Sequence, residues 1–182
     1  DFVSTVDGGQ NLALTAGTGD ITFGGVVGGV NGATRLGTVT INEATSVSIT
    51  DSFAAAAFDQ TVMGEGVFTL GGLLDTDAGG VTIDSEIVDL NAGITTTAGN
   101  DGTTDNGKVT INAGAGDVNG IAVTLDGGDI TTTAAVAGTQ SGAIDIDAVG
   151  SVVFTGELVT TGVAGATGAN GGNITINTTA QT

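Results

Sequence analysis

The chain has 182 residues and sets 20 acidic side chains against two basic ones, Arg35 and Lys108; the net charge of −18 repels phosphate backbones and argues against nucleic acid as a partner. Glycine is abundant (34 residues), Cys, Pro, Trp, Tyr and His are absent, and aromatics make up 3%, which is not the composition of a globular core of two packed layers built on large side chains. Apolar residues, 40% of the total, recur at regular positions, which excludes disorder, and no run of about 18 of them exists to span a membrane as a helix.

In chain order, Phe2-Val3-Ser4-Thr5-Val6 reads as a segment of third-strand type, and Gln10-Asn11-Leu12-Ala13-Leu14-Thr15 as the first, loose copy of a recurring lead strand. Clear copies follow at Gly37-Thr38-Val39-Thr40-Ile41-Asn42, Gly80-Val81-Thr82-Ile83-Asp84, Gly107-Lys108-Val109-Thr110-Ile111-Asn112, Gly142-Ala143-Ile144-Asp145-Ile146-Asp147 and Gly172-Asn173-Ile174-Thr175-Ile176-Asn177. Each copy is a turn glycine, then apolar, polar, apolar, then Asn or Asp. That is a short strand with an inner and an outer face. Two further strand signals follow most copies. Ile87-Val88-Asp89-Leu90 and Ile94-Thr95-Thr96-Thr97 follow Val81; Ile121 to Leu125 and Ile130-Thr131-Thr132-Thr133 follow Val109; Val152 to Thr155 and Leu158 to Thr161 follow Ile144.

Three strands and a return to the first define one coil of a parallel β-solenoid. The lead strands start 27, 42, 28, 35 and 30 residues apart, and the long gap holds two coils: Val47-Ser48-Ile49 and Phe53 supply strands, and a weak lead strand is expected near Thr61-Val62-Met63. Extra residues fall between strands, at 99–107 and 134–142, and should project outward. Helices are excluded by glycine density and β-branched enrichment. A β-sandwich is the stronger competitor on strand spacing, but it has no reason to repeat one strand type at every third position. The expectation is an all-β, right-handed parallel β-helix of about seven coils of three short strands, with residues 1–182 as a single segment. A further copy's Leu12 placed after this chain would follow Ile174 by 20 residues, the length of a minimal coil, so identical copies joined end to end are the expected partners.

Inward Val, Ile and Leu should stack as columns, and the Asn or Asp closing each lead strand should form a corner ladder in which amides separate carboxylates. The outward Thr95, Thr97, Thr131 and Thr133 follow from β propensity; the array is interrupted at Val159, which counts against an ice-binding face. The loop 100–107 gathers oxygen ligands and glycines as calcium sites do, with Asp101 and Asp105 as the candidate metal ligands, although the spacing is not that of an EF-hand. Gly17-Thr18-Gly19-Asp20-Ile21 matches part of a calcium-binding β-helix repeat once, without iteration. Asp145 and Asp147 are the carboxylates a polysaccharide-cleaving β-helix enzyme would want; Arg35 and Lys108 lie on other coils, and an enzyme is not expected.

The segment from Phe2 to Phe23, the Ile-Thr-Thr-Thr strands and Gly171-Gly172-Asn173-Ile174-Thr175-Ile176 resemble the β-strand-repeat regions of very large bacterial exoproteins. They are also similar in style to filamentous-haemagglutinin-type adhesins. The resemblance spans the chain. It implies an extracellular or cell-surface β-helix serving as a stalk, adhesin shaft or filament, and carries over no catalytic residue. A calcium- or glycan-binding adhesive module, with cell-surface glycans as partners, is the alternative.

Overall fold

The structure is a computed structural model in which residues 1–29, 35–60, 64–98, 106–165 and 169–180 are described. Among the described residues it contains sixteen strands and no α-helix. The first eight are β1 (Leu12–Thr15), β2 (Ile21–Phe23), β3 (Leu36–Glu43), β4 (Val47–Ile49), β5 (Phe53–Gln60), β6 (Gly64–Leu70), β7 (Leu74–Thr76) and β8 (Val81–Leu90). The others are β9 (Ile94–Ala98), β10 (Val109–Ala113), β11 (Ile121–Leu125), β12 (Ile130–Ala134), β13 (Ile144–Val149), β14 (Ser151–Phe154), β15 (Leu158–Thr161) and β16 (Ile174–Thr179).

All sixteen belong to one sheet, and every strand pairing among the described residues is parallel. The pairings sort into three ladders. The first runs β1–β3–β5–β8–β10–β13–β16 and aligns the lead strands, with Val109 opposite Val81 and Ile144, and Ile111 opposite Ile83 and Ile146. The second runs β2–β4–β6–β8–β11–β14, and the third β5–β7–β9–β12–β15. Three long strands serve two ladders each: Leu36 of β3 lies opposite Ala55 while Val39 and Ile41 join the first ladder, Phe53–Ala55 of β5 pairs with β7 while Phe58–Gln60 joins the first ladder, and β8 passes from the first ladder to the second. This arrangement is compatible with the expected β-solenoid.

The reason is the period-2 pattern. In β8 and β10 apolar residues and Ser85 alternate buried with part-exposed polar ones, and in β13 Ile144 and Ile146 are buried beside Asp145 and Asp147. Buried side chains from all three ladders form one cluster. Full burial of each aliphatic residue contributes roughly 1.5–3 kcal/mol. Near its N-terminal side the cluster is aromatic: Phe2 stacks on Phe23, and Phe23, Phe53, Phe58 and Phe68 follow one another edge-on at 5.2–5.8 Å.

Two placements differ from the sequence reading. The additional lead-ladder strand is Phe58-Asp59-Gln60, with Phe58 opposite both Val39 and Val81; the expected Thr61-Val62-Met63 lies outside the described residues. Phe2 pairs with Phe23 in the second ladder, and only Val6, opposite Val27, is in the third.

Backbone proximity explains the glycines that open the lead strands. Gly80 has φ of 72°, and a Cβ there would lie 2.2 Å from the Lys108 carbonyl oxygen, so neither its conformation nor its space admits a side chain.

The middle threonine of each Thr triplet turns inward. Thr96 and Thr132 are fully buried and donate to the carbonyls of Gly107 and Gly142, the latter at 2.7 Å, and Thr160 repeats the bond to Gly172 at 2.9 Å. Each bond ties the third ladder to the turn opening the next lead strand. Thr132→Val keeps the volume and removes the donor, and is expected to cost about 1–3 kcal/mol in urea unfolding; a change indistinguishable from zero would mean that the bond is not made.

Candidate functional site

The outward chemistry concentrates on the first ladder. Because β8, β10, β13 and β16 pair in strict register, the residue after the second inward position of each strand falls into one column: Asp84, Asn112, Asp147, Asn177. The Asn112 amide donates to the Asp84 carboxylate, and Asn177 Nδ2 donates to Asp147 Oδ1 at 2.7 Å. Amide donors thus alternate with carboxylates, relieving the repulsion that stacked charges about one strand spacing apart would create. Asn42, which likewise follows the second inward residue of its strand, Ile41, donates to Thr15 Oγ1 at 3.2 Å, beside a register shift after Leu14. A groove of about 300 Å³ lies beside the column, lined by Asn112, Ala113, Gly114, Asp147, Ala148, Val149, Asn177 and Thr179.

Both basic side chains are ion-paired. Lys108 immediately precedes β10, and its Nζ lies 2.8 Å from Asp145 Oδ2, with both side chains 31% exposed. Sequence numbering separates these two residues; the parallel register brings them together. The Lys108 hydrogen bond holds the Asp145 carboxyl below its ordinary value of 3.8, against the opposing effect of partial burial and with help from Thr175. The pair therefore adds stability that is present above 3.8 and fades as pH falls through the lowered value. Replacing Lys108 by methionine is expected to lower the melting temperature slightly at neutral pH, with the gap to the parent closing in acid below 3.8. A gap that widened in acid would contradict the assignment.

Arg35 donates to the Asp75 carboxylate and, through Nη1, to the carbonyls of Asp75 at 2.9 Å and Ala55 at 3.2 Å, with Asp77 Oδ1 3.6 Å away. It bridges neighbouring strands of the third ladder, with Ala55 in β5 and Asp75 in β7.

The candidate calcium ligands Asp101 and Asp105 lie outside the described residues. Among the described residues, no group of three or more His, Cys, Asp or Glu is placed to hold a metal ion. Near Gly17 to Asp20 the chain makes a turn closed by Gly19 N–H to the Ala16 carbonyl at 3.0 Å. Asp145 and Asp147 share the outer side of β13, where one binds Lys108 and the other Asn177; each is occupied by a structural partner.

Asp117 was not singled out by sequence reasoning. Its carboxylate accepts from the backbone N–H of Asn119 at 2.7 Å and of Ile121 at 3.0 Å, closing the turn that launches β11. These bonds hold its carboxyl below the ordinary value. The Asp-x-Asn-Gly spelling ahead of an apolar strand was the available signal.

The fold defines an all-β class of parallel ladders. No family model matches the chain, and no curated protein or solved structure is significantly similar to it. No helix among the described residues is long and apolar enough to cross a membrane.

Proposed function

We infer that the chain is a structural element, the shaft of an extracellular fibre or adhesin, wound as a right-handed parallel β-solenoid of about seven coils and lengthened by continuation of its ladders. One observation carries this reading: the three ladders run side by side in register through the chain, their inward residues filling a single apolar cluster. Right-handed winding is the common crossover of parallel strands. At about 4.8 Å per coil, seven coils rise roughly 34 Å. The interior is occupied by side chains, and the outward groups with chemistry, Lys108, Asp145, Asp147 and Asn177, are engaged with one another. These features suit a load-carrying spacer better than a catalyst, and the bacterial exoprotein resemblance points the same way. A surface with net charge −18 keeps such shafts apart laterally.

The test is immunogold labelling of intact source cells with antibodies raised against the folded chain. Gold on surface stalks or fibres is the expected result; gold confined to the cell interior would overturn the reading.

A second reading is an adhesive module for calcium or glycan hydroxyls, for which the open groove beside Asn112, Asp147 and Asn177 is the available surface. A rise in melting temperature with calcium chloride, absent with magnesium chloride, would support its calcium form.

A further inference from the structure

The sequence holds four Asn-Gly steps, at Asn31, Asn106, Asn119 and Asn170. A glycine after asparagine puts no side chain in the way of its own nitrogen, which reaches the asparagine side-chain carbonyl carbon once the backbone is free to turn. Two of these steps, Asn106 and Asn119, lie inside the stack with neighbouring turns on both sides. The structure holds them differently.

Gly107 is buried. Its nitrogen donates at 2.7 Å to the carbonyl of Ala78, in the turn that opens the preceding lead strand. Its own carbonyl accepts from Thr96, and Gly142 packs against it from the other side. Freeing the Gly107 nitrogen therefore requires stacked turns to separate. The Asn119 step instead stands at the surface, with Val118 and Asn119 both exposed. Gly120 takes φ of 75°, and its nitrogen donates at 2.9 Å to the Asp117 carbonyl within the same turn. The Asp117 carboxylate accepts the Asn119 backbone N–H through Oδ1 and, at 3.1 Å, the Asn119 side-chain amide through Oδ2. A fluctuation confined to this turn frees the Gly120 nitrogen.

We propose that Asn119 is a self-modification site of the folded chain. The Gly120 nitrogen attacks Asn119 Cγ, the bond from Cγ to the side-chain nitrogen breaks, and ammonia leaves with the Gly120 amide proton. Water then opens the succinimide to aspartate or isoaspartate at position 119, so the net change is one water consumed for one ammonia released. The product no longer suits its turn. A carboxylate replaces the amide donor beside Asp117 Oδ2 and sets like charges against each other. Isoaspartate also lengthens the backbone ahead of Gly120, whose carbonyl accepts from Ser151 N–H at 2.7 Å, and of Ile121, which starts β11. Modification thus loosens the entry of the chain into the second ladder. Asp117 acts as a positioning residue that holds the unmodified side chain and repels the modified one.

The experiment incubates the 182-residue chain at mildly alkaline pH, folded and in urea, and locates deamidation by peptide-mapping mass spectrometry with isoaspartate-specific methylation as a second readout. In the folded chain Asn119 is expected to convert several-fold faster than Asn106, and in urea the two should convert at comparable rates. Asp117→Ala, its fold checked by circular dichroism, should convert Asn119 several-fold faster than the parent. Asn119→Gln, whose longer side chain closes a larger ring far more slowly, should stay unconverted at that position. A folded chain in which Asn106 converts as fast as Asn119 overturns the proposal. So does an Asn119 that stays intact while the urea-treated chain is converted. If Asp117→Ala does not fold, the folded and unfolded parent still decide the site; if it folds and converts no faster, the role given to Asp117 is wrong.

Discussion

Phe53→Ala is expected to destabilise the chain by about 3–5 kcal/mol, a drop in melting temperature on the order of 10 °C. Phe53 is fully buried, pairs in register with Val27 and Leu74, and presents its ring edge-on to Phe23 at 5.2 Å and Phe58 at 5.5 Å. Truncation removes the transfer free energy of the ring and leaves a cavity whose walls are strands pinned by ladder hydrogen bonds on both sides. Such walls collapse poorly, which places the cost at the upper part of the range. Phe53→Leu should restore much of the loss, because leucine already occupies the same column position at Leu74. Urea unfolding of the three proteins checks both statements; a loss below about 1 kcal/mol for Phe53→Ala would mean that the ring is not enclosed.

Gly142→Val should be at least as damaging, for the opposite reason. A Cβ at Gly142 would stand 2.3 Å from the Gly107 carbonyl carbon and oxygen and 2.6 Å from the Lys108 nitrogen. These are backbone atoms of the neighbouring turn, so relief requires separating β13 from β10, whose five residue pairs lie immediately beyond. A Cβ on Gly172 would in turn meet the Gly142 carbonyl oxygen at 2.2 Å. That carbonyl also accepts from Thr132, so the displacement breaks a buried bond as well. The expected loss is ~3 kcal/mol or more. A valine variant that melts with the parent would show that the turns are not stacked.

The glycines illustrate what the sequence made legible. Their recurrence two residues ahead of the lead strands Val39, Val109, Ile144 and Ile174 was visible, and turn formation accounts for part of it. Stacking of turn on turn accounts for the rest, and that is a property of residues some 30 apart in number that only the register reveals. The lead, second and third strands around Val81, Val109 and Ile144 were legible because inward Val, Ile and Leu alternate with outward Thr, Asp and Asn. Alternation fails in Phe53-Ala54-Ala55-Ala56-Ala57-Phe58-Asp59-Gln60, where alanine marks neither face and a buried Gln60 takes an inward slot opposite Ile41, its amide donating to the Asp84 carbonyl. The sequence pattern therefore points near Thr61-Val62-Met63, three residues beyond the lead-ladder segment Phe58-Asp59-Gln60. The Thr triplets hid their inward member for a similar reason: identical residues on both faces give no phase.

At the candidate site, the amide–carboxylate column was legible from the residue closing each lead strand, since equal positions in parallel neighbours must meet. The Lys108–Asp145 pair follows from the same register, one residue before and one after the inward positions Val109 and Ile144, yet distance in number concealed it. The Arg35 bridge had no such signal, because Arg35 lies outside any repeated position.

The central claim is that residues far apart in sequence stack one strand spacing at a time, and the outward column Ala13, Thr40, Asp59, Thr82, Thr110, Asp145, Thr175 is a ruler for it. Spin labels placed in pairs, one always at position 13 and the other at 82, 110, 145 or 175, would report the spacing by double electron–electron resonance. The account predicts separations that lengthen in that order by roughly 4.8 Å per strand, to about 29 Å at position 175. Separations that fail to lengthen in that order, or a position 175 label no farther from position 13 than the label at 82, would contradict it.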